Sequence, residues 1–125
     1  MQIILAVAAG GALGSVARYL FAGQVYRLLG TDFPWGIFVV NVIGCFIMGV
    51  CAELFALRWN VTPEVRAFIT VGILGGFTTF SSFSLDTVML IERGQVAVAA
   101  AYAFASLAVS VGALFAGLAV IRSIA

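Results

Sequence analysis

The sequence predicts an all-α integral membrane protein with four transmembrane helices per subunit and a break in the third. Composition is the first reason. Of the 125 residues, 64% are hydrophobic and 9% charged, against roughly 25% charged in soluble globular domains, and the mean hydropathy is +1.22. A chain of this size cannot hide so much apolar surface in water, whereas lipid takes it up without a polar shell. Spacing is the second reason. Charges divide the chain into four apolar runs, residues 3–21, 36–52, 67–85 and 96–121, each near the roughly 20 residues that a membrane helix needs. The third reason is GGFTTFSSFS at residues 75–84, where two adjacent glycines and a cluster of hydroxyls interrupt an otherwise apolar run. The connections GTDFPW, LRWNVTPE and ERGQ are short and no linker separates the runs, so residues 1–125 read as a single four-helix transmembrane domain.

The first run begins MQIILAVAAGGALGSVA and lacks the positively charged start of a secretory signal, so it is read as a retained span. Gly10 and Gly14 form a GxxxG pattern, which lets a second helix approach closely. Arg18 interrupts the same run, and a mid-span arginine costs roughly 2.5 to 3.5 kcal/mol. It must face a cavity or partner, or lie near enough to the interface for its stem to reach water. In the second run Asn41 stands alone. Its amide either donates to an anion or joins two helices. Cys45 and Cys51 are six residues apart in that run, too far along a helix axis to bridge each other, and read as small apolar residues.

In the third run Gly75 and Gly76 either break the helix or pack it closely against another. A break frees carbonyls on one side and amides on the other, which discontinuous membrane helices present to ions. Thr78 or Thr79 then caps a restarted helix running to residue 92. Phe80 and Phe83, three apart, share a face of it. An aromatic ring has a positive edge, so this pair, if it does not simply meet lipid, helps replace water around a small anion. On the fourth run Tyr102, Ser106 and Ser110 recur every four residues, placing three hydroxyls on one stripe. Pro34 and Pro63 suit helix entrances.

With four spans, one membrane face carries Arg58, Arg66 and Arg122, and the other carries Arg27 and Arg93 with Arg18 nearer that side. The positive-inside rule finds no bias in such loops, so insertion in both directions, and an antiparallel, dual-topology homodimer, are physically accessible. The composition also excludes much. Histidine is absent, the hydroxyls have no base to activate them, and neither a phosphate loop nor a metal-ligand spacing is present. No enzyme is expected. A net charge of +1 gives no footprint for nucleic acid. The alternative function is a proton-coupled carrier of the small multidrug-exporter kind, which needs an acidic residue in its first span; residues 2–26 contain none.

Three segments, GGALGSVARY at 10–19, PWGIFVVNVIG at 34–44 and above all GILGGFTTFSSFSLDTVML at 72–90, followed by the Tyr102, Ser106 and Ser110 stripe, resemble the Fluc (CrcB) family of fluoride channels along essentially the whole chain. The resemblance implies an antiparallel dimer in the bacterial inner membrane with two fluoride pathways, through which fluoride leaves the cytoplasm passively. It implies that Phe80 and Phe83 form a paired aromatic box, that Asn41 is a pore asparagine, and that Tyr102, Ser106 and Ser110 are a polar track. It further implies a structural sodium ion held by the main-chain carbonyls of Gly75 and Thr78 from both subunits, and that Arg18 matches the family's basic residue in the first helix. Asp86 stands where the family often has glutamate, and Ile37 and Val39 where some members have threonine.

Overall fold

The computed structural model describes residues 1–124. Helix α1 is Gln2–Leu29 and α2 is Trp35–Leu57. The third span, Pro63–Glu92, consists of two arms, α3 over residues 63–77 and α4, Phe80–Glu92. Helix α5, Val96–Ile124, completes the bundle. All four spans are long and apolar enough to cross a membrane.

The helices outrun the apolar runs that predicted them. Hydropathy fades at the first polar residues, Gln24 and Arg27 in α1, but the hydrogen-bond ladder continues until a residue leaves the helical conformation. In α1 that residue is Gly30, at φ 87°, whose N–H donates to the Tyr26 carbonyl at 2.8 Å, a conformation that only glycine adopts without strain. At the start of α3, Pro63 fills a first-turn position whose N–H has no helical partner anyway, and Thr62 Oγ1 accepts from the Val65 N–H at 3.2 Å.

Two glycine crossings set the packing. A Cβ on Gly10 would lie 2.9 Å from the Gly72 Cα, and one on Gly76 would lie 2.8 Å from the Gly11 carbonyl oxygen, so α1 and α3 touch backbone to backbone. The π-helical segment Phe68–Leu74 lies on this crossing. The second crossing joins α2 and α5. There a Cβ on Gly117 would come within 2.8 Å of the Val50 nitrogen, and one on Gly49 within 3.0 Å of the Leu114 carbonyl carbon. Where lipid supplies no hydrophobic drive between helices, such approach gains dispersion contact. The apolar side chains mostly face outward, Tyr19 at 78% and Phe104 at 75% exposure among them. The buried cluster is small: Leu90, Ala99 and Tyr102, with Phe33, Phe38 and Phe83 against it.

The break in the third span is three residues later than the glycines suggest. Gly75 keeps a right-handed helical conformation at φ −63°, ψ −36°, whereas Thr78 (φ −84°, ψ 158°) and Thr79 (φ −152°, ψ 126°) are extended. Gly76 serves the close packing on α1 instead. At the face holding both termini, Glu53 is buried and ion-paired with Arg122. There Arg58 Nη2 also donates to the Ile124 carbonyl at 2.9 Å, and the Arg66 guanidinium lies 5.7 Å from the Phe55 ring centroid.

Candidate functional site

The break sets the position of everything in the site. Thr79 opens α4 as its cap: its Oγ1 accepts from the Ser82 N–H at 3.1 Å. From α2, the Asn41 Oδ1 accepts the Thr79 N–H at 2.8 Å, and the Asn41 Nδ2 donates to the Thr79 carbonyl at 3.1 Å. Backbone freed from a helix inside hydrocarbon must find partners within the protein, and one side-chain amide here meets both groups of one residue. Because the Thr79 N–H is committed to Asn41, the Gly75 carbonyl lacks the donor four residues ahead that an unbroken helix supplies. The next carbonyl, Gly76, accepts from Arg18 Nη1 at 3.0 Å. Arg18 thus faces the carbonyl end of α3, where a helix dipole favours a cation.

Restarting the helix at Phe80 projects Phe80 and Phe83 from one face, their ring centroids 5.7 Å apart and their planes at 44°. Phe80 is 79% exposed and Phe83 half-buried. A groove of about 270 Å³ runs between these rings, α2 and α5; Asn41, Cys45, Ser106 and Ser110 contribute polar or thiol groups to its wall. Serine in a helix commonly bonds the carbonyl four residues back. Neither Ser106 nor Ser110 does so. Both hydroxyl oxygens are buried without a hydrogen-bond partner, and the groove they line gives them somewhere to point. A buried polar group left unpaired calls for an explanation such as a bound ion or water.

Of the residues that the sequence singles out for an anion path, the structure brings Asn41, Phe80, Phe83, Ser106 and Ser110 onto this one groove. Tyr102 is elsewhere. It is fully buried, its ring 5.1 Å from Phe83 and edge-on to Phe33 at 5.3 Å, and its hydroxyl donates to Asp86 Oδ2 at 3.4 Å. Beyond Asp86 a second cavity of about 240 Å³ opens among Tyr26, Asp32, Asp86 and Arg93. Thr78 and Thr79, expected from the sequence as caps of the restarted helix, line the same groove, and so does Cys45, which reads in the sequence as a small apolar residue. Cys45 follows Asn41 by four residues, so helical spacing alone places it on the same face.

Comparison with known proteins places the chain in a family. The family described as CrcB-like protein, Camphor Resistance (CrcB), matches residues 5–118. The chain belongs to the CrcB family. The relatives to which it is similar include the fluoride-specific ion channel FluC of Rhodospirillum centenum, 60% identical over 123 residues and 98% of each chain. They also include FluC 1 of Nitrobacter hamburgensis, 59% identical over 119 residues, 95% of this chain and 94% of the relative. FluC of Agrobacterium fabrum is 54% identical over 121 residues, 97% of each chain.

In this CrcB protein the Arg18 contact is testable apart from any transport. Arg18→Met keeps the apolar stem and strands the part-buried Gly76 carbonyl, so a loss of about 1 kcal/mol is expected, the low end of the penalty for an orphaned buried acceptor. Thermal unfolding in detergent reads it as a lowered midpoint. Arg18→Lys, which keeps a donor, is expected to fall between the two.

Proposed function

We propose that this protein is a fluoride-selective channel, not an enzyme, that lets fluoride leave the bacterial cytoplasm passively through its multi-pass membrane fold. The observation that carries the reading is the pair of unpartnered hydroxyls, Ser106 and Ser110, on the same groove as the Phe80 and Phe83 rings. The ion's identity is supplied by the relatives of 50 to 60% identity that bear the name of fluoride-specific channels.

Fluoride is small and strongly hydrated, so a path must offer close donors at several sites while none binds so tightly that exit stalls. The groove supplies donors of that kind. Asn41 keeps one N–H of its amide after the Thr79 carbonyl is served. The ring edges of Phe80 and Phe83 present partial positive charge, and the serine hydroxyls extend the series along α5. Tyr102 supports Phe83 from behind and links it, through Asp86, to the second cavity.

The working unit is an antiparallel homodimer with two such paths. A backbone group without a partner is not tolerated against lipid at membrane depth, yet the Gly75 carbonyl has lost its helical donor and Gly75 is exposed in the single chain. A second copy covering that surface removes the conflict, and the balanced arginines of the two loop faces permit it to enter inverted. The carbonyls of Gly75 and Thr78 fit a structural sodium ion at the centre of this dimer. They are hard oxygen donors at a broken helix, the arrangement that holds sodium in other membrane folds, and the Gly75 carbonyl has lost its helical partner. When bound, the ion neutralises carbonyl dipoles gathered from two chains. The multidrug-exporter reading finds no support, since residues 2–26 offer no carboxylate and the family is different.

The test is anion release from liposomes loaded with potassium fluoride or potassium chloride, followed electrically. Rapid fluoride release with negligible chloride release is expected. Equal leakage of both ions, or release of neither, overturns the reading.

A further inference from the structure

We infer that Asn41 is a positioning residue: by locking both backbone groups of Thr79 it sets the aim of the Phe80 and Phe83 rings, leaving a single N–H to meet the ion. The inference rests on the fluoride-channel reading of the groove and assigns the division of labour within one side chain.

Three observations carry it. A primary amide holds two N–H donors and an acceptor oxygen. The oxygen receives the Thr79 N–H at 2.8 Å and one donor serves the Thr79 carbonyl at 3.1 Å, so no more than one N–H remains for a ligand. Second, Thr79 is the hinge. It is extended at φ −152°, ψ 126°, and its side chain caps α4. A rotation of its peptide turns α4 as a rigid rod, and Phe80 is the first residue of that rod, with Phe83 one turn further. Third, α2 holds the break at a second point. A Cβ on Gly44, three residues after Asn41 on the same helix, would meet the Thr78 methyl, with Phe77 Cδ2 at 3.3 Å, so Thr78 is seated against bare backbone while Asn41 grips its neighbour.

A ligand role alone does not require this geometry. Were both N–H groups aimed at an ion, the Thr79 carbonyl would be left unpaired at membrane depth, where water cannot serve it.

The test separates the two roles with one protein whose backbone is edited while Asn41 is left untouched and a second in which Asn41 loses only its donor. Semisynthesis replaces the amide between Thr78 and Thr79 with an ester, which removes the Thr79 N–H. A second protein, Asn41→Asp, keeps an acceptor for that N–H and loses the donor to the carbonyl. In each, 4-fluorophenylalanine is placed at Phe83, or at Phe115, exposed on α5 in the single chain, as reference, and the 19F spectrum is recorded in fluoride-free buffer. The expected result is a displaced or split resonance at Phe83 in both edited proteins with Phe115 unchanged. In liposomes, a fall in fluoride release of tenfold or more is expected for each.

An unchanged Phe83 resonance in either protein overturns the inference. So does normal fluoride release by the ester protein alongside loss in Asn41→Ala, since Asn41 then acts on the ion directly. An equal disturbance at Phe115 also overturns it, because the amide then braces the whole fold and not the aromatic pair. The spectra require no transport, so they stand whether or not the unedited protein conducts fluoride.

Discussion

Phe80→Ile is expected to cut fluoride release by about 100-fold or more, equivalent to about 2.7 kcal/mol at about 1.36 kcal/mol per factor of ten. Phe80 is 79% exposed in the single chain, and its aromatic neighbour is Phe83, at 5.7 Å. The fold loses little when it is replaced. Isoleucine is nearly as large and as apolar, so lipid solubility and α4 survive. It has no ring quadrupole, however, and its aliphatic C–H groups carry too little positive charge to stand in for water around a fluoride ion. The expected signature is therefore a protein that elutes as the wild type on a sizing column and fails in the liposome assay. Phe83→Ile is expected to differ, because Phe83 also packs on the fully buried Tyr102 at 5.1 Å; it loses stability as well as flux. Normal fluoride release by Phe80→Ile would remove the ring from the path, whatever ion the protein carries.

Which parts of this arrangement are legible in the sequence follows from what each residue needs. Hydropathy depends on composition alone, so the four spans are visible, and their excess length is not, since helices end where the backbone turns, as at Gly30. The presence of a break is visible in the density of hydroxyls beside Gly75 and Gly76, but its position is a tertiary matter. Glycine permits a break without compelling one. Here the bare surface of Gly76 is used against α1, and the helix opens at Thr79, where Asn41, 38 residues away in sequence, supplies partners for the freed backbone. The Asn41 amide likewise offered two uses, to an anion or to another helix, and only the fold shows that most of its capacity goes to the second. The stripe of Tyr102, Ser106 and Ser110 is real as helical spacing, yet Tyr102 is buried against Phe83 with its hydroxyl on Asp86, while the two serines line the groove. Periodicity places residues on a face; it does not say what that face meets along its length.

Gly14→Ala and Gly23→Ala form a matched pair on α1, of which the first is expected to destabilise the fold and the second is not. On intrinsic propensity alone each change favours the helix, by up to about 1 kcal/mol. Gly23 has open space where the methyl would go, with no atom within 4 Å, so Gly23→Ala is expected to leave the unfolding midpoint unchanged or raise it. At Gly14 the methyl would lie 2.9 Å from both the Ile73 carbonyl carbon and the Phe77 nitrogen. Those are backbone atoms of α3 and cannot rotate aside as a side chain can. Relief requires α1 and α3 to separate, and overpacking of this kind costs about 1 to 3 kcal/mol, more than the propensity gain returns. Arg18 is one turn beyond Gly14, on the same face of α1, and its bond to the Gly76 carbonyl spans the crossing that would be pried apart. Gly14→Ala is therefore expected to lower the midpoint in detergent and to reduce fluoride release, through the carbonyl end of α3 that leads into the break. Should Gly14→Ala unfold no sooner than Gly23→Ala, α1 and α3 do not cross at backbone contact, and Arg18 cannot be what secures the arm leading to Thr79.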